Sequence, residues 1–390
     1  MSLRRRIAMT GFIATAITFG PGRMAYGMFL PQFRDAFEFG TGAAGGIAGC
    51  AFAAFFAALI VTGWLTPRLG PRLPVFLGGC LATAGFAIAA LAQGIVTMSV
   101  GIALASASAG FAWTPFNAMA QQAVAERHQK RVLSIVSTGT TFGIIAAGLL
   151  ASGLALWGQS WRIAWWAFAA IALGAIAAPQ LLLSRRDSFE RGGRLDIRNT
   201  FKRLRRREAI PLYALALSFG ATNGTFLSYW IDHISQSGGL SGIPAELIGP
   251  MLFVPFGLAG CLGLFTGDVV ERIGLKALLF ALFAGSAASL LLLAFMPGSW
   301  AGTIVSAALQ GICLMALSAI YSFWSERLFP DIPSASFTAV LLLYASGNVV
   351  APPLAGLLSG GLGLGMTLAL FGALSLASLF LVREVRDIRE

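Results

Sequence analysis

The chain has 390 residues, of which 57% are hydrophobic and 11% are charged, and its formal net charge is +11. Soluble domains carry about 25% charged residues, so this composition excludes a soluble globular domain. Apolar runs of roughly 20 residues recur along the whole sequence, and each is long enough to cross ~30 Å of hydrocarbon as a helix. The alternating polarity of a transmembrane barrel is absent, so helices are the predicted spanning elements.

Twelve spans are predicted, in two sets of six. In chain order they are residues 7–30, 42–66, 74–93, 96–121, 132–157, 162–183, 210–231, 247–266, 276–296, 300–323, 335–357 and 362–382. The predicted fold is therefore all-α and integral to the membrane, with an N-terminal six-helix bundle (1–183), a cytoplasmic basic linker (184–209) and a C-terminal six-helix bundle (210–390). The linker is either a solvated charged loop or, in part, an amphipathic helix on the inner membrane surface.

The basic residues are distributed very unevenly between the two sides of the membrane. With the amino terminus inside, 24 of the 27 Lys and Arg residues fall in the tails and inner loops, and only Arg34 and Arg162 fall in outer loops. The positive-inside rule then predicts an inner-membrane protein with both termini in the cytoplasm. The net charge is explained by this orientation, so no nucleic-acid partner is predicted.

The two halves of the sequence look related. Residues 63–72 read GWLTPRLGPR and residues 267–276 read GDVVERIGLK, and each segment lies between the second and third spans of its half. Internal repeats of membrane spans are typical of secondary transporters.

These repeats, the twelve spans and the basic central loop resemble the major facilitator superfamily along essentially the whole chain. The resemblance implies two pseudo-symmetric six-helix bundles and a loop motif that gates the cytoplasmic side. The gating residues that it implies are Arg68, Asp268, Glu271 and Arg272. The first copy of the motif departs from the family pattern, because Pro67 stands where an acidic residue belongs.

In the superfamily that the chain resembles, the first, fourth, seventh and tenth spans line a central cavity. Polar and aromatic residues here share one face on each of those spans, at helical spacing. The substrate-binding residues predicted in this way, with two more from span eleven, are Phe19, Arg23, Tyr26, Trp113, Asn117, Gln121, Asn223, Phe226, Trp230, Gln310, Tyr321, Tyr344 and Asn348. The alternative is that such amides and hydroxyls only hydrogen-bond neighbouring helices.

Arg23 lies within the first predicted span, in the stretch TFGPGRMAYGMFLP. This stretch also resembles the bacterial YbfB/YjiJ-like branch of the superfamily. No Asp or Glu falls in the middle of a predicted span, so a mobile anion is a natural partner for this cation, with Tyr26 adding a hydroxyl. The alternative is a structural arginine that hydrogen-bonds backbone carbonyls freed by Pro21 and Gly22.

Small residues predict close helix packing in two spans. Span five carries Gly139, Gly143 and Gly148, and the proline pair 352–353 is expected to bend or break span eleven. Both spans resemble gating helices of the superfamily. The four cysteines fall in different predicted helices and are interpreted as packing residues, not as disulfides or metal ligands.

The sequence does not single out one mode of energy coupling. The candidate titrating groups (Asp35, Glu38, Asp232 and His233) are expected outside the core, with His233 as a loop residue. A facilitator, an anion exchanger and a symporter in which the substrate carries the proton all remain open.

The leading prediction is a monomeric secondary transporter or facilitator of a small organic anion, in contact with membrane lipid and without a cofactor. The alternatives are a multidrug or metabolite exporter and a non-transporting membrane scaffold. No nucleotide-binding loop or zinc-type cluster is found in the sequence, so an enzyme is not predicted.

Overall fold

The computed structural model describes residues 2–182 and 203–385, and every regular element in those ranges is helical. The helices are α1 (Leu3–Phe19), α2 (Pro21–Phe37), α3 (Thr41–Leu69), α4 (Arg72–Leu91), α5 (Ile95–Gly110), α6 (Trp113–Ala123), α7 (Glu126–Leu156), α8 (Trp161–Leu182), α9 (Ile210–Gln236), α10 (Ala245–Gly260), α11 (Thr266–Ile273), α12 (Leu275–Phe295), α13 (Trp300–Leu328) and α14 (Pro333–Arg383). Short 3-10 turns cover Arg207–Ala209 and Cys261–Phe265. Most of the predicted linker lies outside the described residues.

Several helices are long and apolar enough to cross a membrane. Among the described residues, eight such segments are present: Thr41–Leu69, Arg72–Leu91, Ile95–Ala123, Glu126–Leu156, Ala245–Ile273, Leu275–Phe295, Trp300–Leu328 and Ala335–Arg383. The last segment covers two predicted spans. Its helical backbone is interrupted at Gly363, which adopts a positive φ of 77°. The break therefore falls at Gly363, whereas the helix continues through Pro352 and Pro353.

Two predicted spans are each divided into two helices. The first is interrupted at Gly20, whose ψ of −102° is not helical, and α2 begins directly afterwards at Pro21. Proline suits the first position of a helix because its missing N–H has no helical partner there. The fourth span is interrupted at residues 111–112, between α5 and α6. The first interruption places Arg23 in the first turn of α2.

The chain divides into two compact units. Among the described residues, unit 1 comprises 2–39, 50–182 and 249–254, and unit 2 comprises 40–49, 203–248 and 255–385. Residues 41–49, at the start of α3, belong to unit 2, and residues 249–254, in the middle of α10, belong to unit 1.

Glycines let helices of unit 1 approach each other closely. A Cβ atom at Gly143 in α7 would collide with the backbone of Ala16 in α1, and one at Gly139 would collide with Phe12 and Thr15. Gly148 lies against the carbonyl oxygen of Pro250 in the same way. The prediction of close packing along span five is therefore confirmed.

In unit 2, glycines likewise let α9 and α14 approach each other closely. A Cβ atom at Gly220 would collide with the carbonyl oxygen of Tyr344, and one at Gly347 would collide with that of Leu217. Each helix thus presents a glycine to the backbone of the other. The two helices consequently hold their polar side chains within hydrogen-bonding reach.

The structure gives a physical reason for one glycine of the repeated motif. Gly70 follows the last residue of α3 with a φ of 81°, and Gly274 follows the last residue of α11 with a φ of 88°. Other residues rarely adopt a positive φ, so glycine at this position ends the helix and turns the chain in both copies.

Arg162 ties the start of α8 to the end of α4. Its Nη1 atom donates hydrogen bonds to the carbonyl oxygens of Ala90 (2.8 Å) and Ala92 (2.6 Å). These carbonyls lack partners within their helix, and a cation near a helix C-terminus is favourable. Arg162 is therefore a structural residue of unit 1.

We expect Arg162→Ala to lower the melting temperature of the purified protein by a few degrees. Hydrogen bonds from a charged donor contribute about 1.5–3 kcal/mol, and both would be lost. Thermal unfolding followed by tryptophan fluorescence measures the shift, with the exposed Arg127→Ala as the control. Equal melting temperatures for the two variants would contradict this role.

Candidate functional site

Arg23 is buried among aromatic rings in unit 1, with 8% of its surface exposed. Its guanidinium carbon lies 4.6 Å from the ring centroid of Phe55, 5.6 Å from that of Phe52 and 6.0 Å from that of Phe19. We call these three rings the aromatic cage. Phe19 is in α1, Arg23 in α2, and the other two rings in α3, so three helices build the site.

The cage explains how an apolar protein tolerates this cation. The faces of aromatic rings carry partial negative charge, and a cation over such a face gains about 0.5–2 kcal/mol. Phe19 and Phe55 also contact each other edge to face, at 6.1 Å and 81°. The rings therefore hold the guanidinium in place and partly offset its loss of hydration.

Tyr26 follows Arg23 by one helical turn and is also buried. Its ring stacks on Phe33 with a centroid separation of 6.2 Å and an angle of 25°. Tyr26 is thus placed on the helix that carries the cation, and its ring is fixed by a neighbour on that same helix.

The predicted residues of span four lie on the short helix α6. Trp113 and Asn117 are partly buried, and Gln121 is exposed near the end of the helix. Trp113 packs against the apolar cluster that includes Phe116 and Val136. Of these three side chains, Trp113 and Asn117 are therefore the ones partly enclosed by unit 1.

Unit 2 contains a buried hydrogen-bond network. The Tyr344 hydroxyl donates to Oδ1 of Asn223 (2.7 Å), and Nδ2 of Asn223 donates to Oε1 of Gln310 (3.3 Å). Gln310 Nε2 in turn donates to the hydroxyl of Ser286 (3.2 Å), and Asn348 Nδ2 donates to the carbonyl oxygen of Tyr344 (2.8 Å). This network joins four helices, so its members stabilise the packing of unit 2 whatever else they bind.

The remaining predicted residues of unit 2 are also buried. Phe226 and Trp230 stack at 4.9 Å and 26°, and Phe256 packs against both rings. The Tyr321 hydroxyl donates to the carbonyl oxygen of Leu215 at 3.2 Å. The structure thus places Phe19 beside Arg23 in unit 1 and groups the predicted residues of unit 2 in a polar and aromatic core.

The predicted gating residues lie at exposed helix ends. Arg68 folds back on its own helix, where Nη1 donates to the carbonyl oxygen of Trp64 (3.1 Å) and the guanidinium lies 4.1 Å from the Trp64 ring. Asp268, Glu271 and Arg272 are exposed on α11. Pro67 is accommodated inside α3.

The expectation that Asp232 and His233 lie outside the core is wrong. Helix α9 runs to Gln236, five residues beyond the predicted end of span seven, and both side chains are buried, with 2% and 7% exposed. Asp232 accepts a hydrogen bond from Gln236 Nε2 at 2.7 Å, and His233 contacts the backbone of Leu293 and Ala294. A prediction from hydropathy places the end of a span where polar residues begin. Neighbouring helices can nevertheless bury those residues.

Sequence reasoning missed Phe52, Phe55 and Ser286. The two phenylalanines occur in the run AFAAFFAALI, where large rings stand among alanines at helical spacing. That pattern indicates a cluster of rings on one helix face. Which charged residue packs beside the cluster depends on the tertiary fold.

Taken together, the recurrent apolar helices and the internal repeat define a multi-pass membrane transporter, not an enzyme. The sequence profile described as the Major Facilitator Superfamily matches residues 11–274. Since this is well over half of the sequence, the chain belongs to that superfamily.

Solved structures agree with this assignment of fold. A crystal structure of a point mutant of the nucleoside transporter NupG superposes with a TM-score of 0.76 at 11% identity, covering 98% of this chain and 100% of NupG. A bacterial homologue of the human lysosomal transporter Spinster, inward-facing and unoccupied, gives a TM-score of 0.71 at 14% identity, covering 99% and 96%. No curated protein matches the sequence significantly. At these identities the likeness concerns the fold alone.

Proposed function

We propose that this protein carries a small organic anion of the carboxylate type across the membrane, with Arg23 as the group that binds its charge. The observation that carries the proposal is a permanent cation buried inside a membrane transporter. Ionisable residues in such positions commonly mark substrate or ion pathways. A carboxylate can accept a forked pair of charge-assisted hydrogen bonds from a guanidinium.

The aromatic cage supports this assignment over a site for cations. The guanidinium carbon of Arg23 lies over the rings of Phe55 and Phe52, which contribute no negative formal charge. A cationic drug entering this part of unit 1 would meet a positive side chain, whereas an anion would neutralise it. A multidrug exporter of cations is therefore the less favoured alternative.

The proposal is tested by a thermal-shift screen of the purified protein against carboxylates, sulfonates, nucleosides and neutral drugs. Ligands that bind the folded state raise its melting temperature in a concentration-dependent manner. Saturable shifts confined to anions would support the proposal. Hits confined to neutral or cationic compounds would refute it, and flux of the hit into proteoliposomes separates a transporter from a scaffold.

Transport is proposed to follow a rocker-switch alternation, and a hydroxyl in unit 2 is a candidate control point. The Tyr229 hydroxyl contacts the carbonyl oxygens of Thr41 in α3 and Pro352 in α14, each at 3.0 Å. The Ser359 hydroxyl donates to Oγ1 of Thr41 at 2.8 Å. These bonds hold the first turn of α3 to α14 at the end predicted to be external, so alternation requires them to break.

We expect Tyr229→Phe to favour the conformation in which this junction is open. Loss of one net hydrogen bond contributes about 0.5–1.5 kcal/mol, which shifts a two-state population several-fold. The measurement is the labelling rate, by an impermeant maleimide, of a cysteine introduced at Gly42 after the four native cysteines are replaced. Faster labelling is the expected result.

Tyr213→Phe is a matched control for that variant. Tyr213 lies on the same helix and its hydroxyl also donates to a backbone carbonyl, that of Leu204 at 3.0 Å. A labelling rate equally raised in Tyr213→Phe, or unchanged in Tyr229→Phe, would show that the junction does not govern opening.

The proposal also includes the membrane location, the topology, the oligomeric state and the subfamily of the protein. The distribution of basic residues supports an inner-membrane location with both termini in the cytoplasm. Monomeric action and membership of the YbfB/YjiJ-like branch are proposed with it. Proton coupling is left to measurement of substrate flux with and without a pH gradient.

A further inference from the structure

The number of buried charges near Arg23 limits how many negative charges its ligand can carry. This inference rests on the proposed function. Among the described residues of unit 1, Arg23 is the one charged side chain that is buried. The three rings of the aromatic cage lie around its guanidinium, and they carry no formal charge. Arg23 therefore contributes the one buried formal charge among the described residues of unit 1, and the three rings beside it are apolar.

We infer that the protein selects organic anions with a single negative charge over dianions and over neutral analogues of the same shape. One guanidinium neutralises one carboxylate. A second carboxylate on the ligand would enter an apolar environment without a matching cation, and burying an uncompensated charge is strongly unfavourable. A neutral analogue would forgo the charge-assisted hydrogen bonds.

Unit 2, taken by itself, contains no buried lysine or arginine in the part that the structure describes. The charged group that is buried, Asp232, is acidic and accepts a hydrogen bond from Gln236. The one buried histidine, His233, contacts the backbone of Leu293 and Ala294. Among the described residues, neither unit therefore contains a second buried permanent cation.

The inference is tested with compounds that share a skeleton and differ in charge. The probes are succinate, glutarate and phthalate, each as the dianion, the monomethyl ester and the dimethyl ester, at a pH where free carboxyls are ionised. Binding to purified wild-type protein is measured by thermal shift and by calorimetry. We expect the singly charged ester to bind at least about tenfold more tightly than the other two members of a series, as differences in charge pairing predict.

A charge-neutral variant makes the test sharper. In Arg23→Gln the site would carry no formal charge, so the preferred ligand should become the dimethyl ester. A purely structural arginine would not shift the preferred charge by one. If this variant fails to fold, Arg23→Met serves the same purpose, and the wild-type series remains decisive by itself.

The possible outcomes separate the two claims. Dianions that bind best, and that lose binding in Arg23→Gln, would overturn the valence inference and leave the anion site intact. Neutral diesters that bind wild-type protein as tightly as monoesters would overturn the anion proposal itself. Failure of all three series to bind would count against both.

Discussion

Arg23→Ala is expected to weaken binding of the carboxylate found in the thermal-shift screen by about 10- to 100-fold, because hydrogen bonds to a charged group contribute about 1.5–3 kcal/mol. Arg23→Lys keeps the charge and loses the planar fork, so an intermediate loss is expected. Isothermal titration with purified variants, and uptake into proteoliposomes at several substrate concentrations, measure the two effects.

Arg34→Ala is the control for removal of a positive charge from the same helix. Arg34 lies at the far end of α2, where Nε donates to the carbonyl oxygen of Phe39 at 3.1 Å. Its loss should leave affinity unchanged. Unaltered affinity in Arg23→Ala, with the protein folded, would mean that the arginine has a structural role only.

Gly143→Ala is expected to prevent correct folding of unit 1 or to destabilise it severely. The added methyl group would collide with the backbone of Ala16, and a backbone cannot move aside as a flexible side chain can. Overpacking typically costs about 1–3 kcal/mol, and a collision between two helix backbones lies at or above the top of that range. Yield of monodisperse protein and melting temperature after purification report the effect.

Gly153→Ala gives a matched comparison on the same helix. A Cβ atom at Gly153 would meet nothing within 4 Å, so the methyl group fits. Alanine is also the better helix former by about 0.5–1 kcal/mol. We expect this variant to be as stable as the wild type or slightly more so. Similar losses in both variants would imply a general intolerance of α7 and would refute the packing argument.

Features set by local sequence were predictable. The apolar runs located the long helices, and the small residues at Gly139 and Gly143 indicated the close approach that α1 and α7 make. The repeated motif placed glycines where both Gly70 and Gly274 turn the chain. In each case the physical requirement, either an apolar surface or a conformation open to glycine, acts on residues that are neighbours in sequence.

Features that depend on the covering of one helix by another were not predictable. Asp232 and His233 look like loop residues by polarity, yet neighbouring helices bury them. Phe52 and Phe55 become part of a site only because α3 packs beside Arg23. The sequence placed a cation in the membrane, and the fold supplied the rings that surround it.

The amides of unit 2 illustrate a further limit of sequence patterns. Asn223 and Gln310 sit on helix faces in the way expected of ligand-binding residues, and the structure places them in a network with each other. Shared faces on two helices predict an encounter of polar groups. They do not distinguish groups that bind a solute from groups that bind one another.

The most direct test of the account is a structure of the protein with the carboxylate identified by the screen. We predict a carboxylate oxygen at roughly 2.7–2.9 Å from the guanidinium nitrogens of Arg23, the usual length of a charge-assisted hydrogen bond. The guanidinium should remain over the rings of Phe52 and Phe55. A bound carboxylate elsewhere, with the Arg23 donors taken up by backbone oxygens, would contradict the assignment of this residue as the anion-binding group.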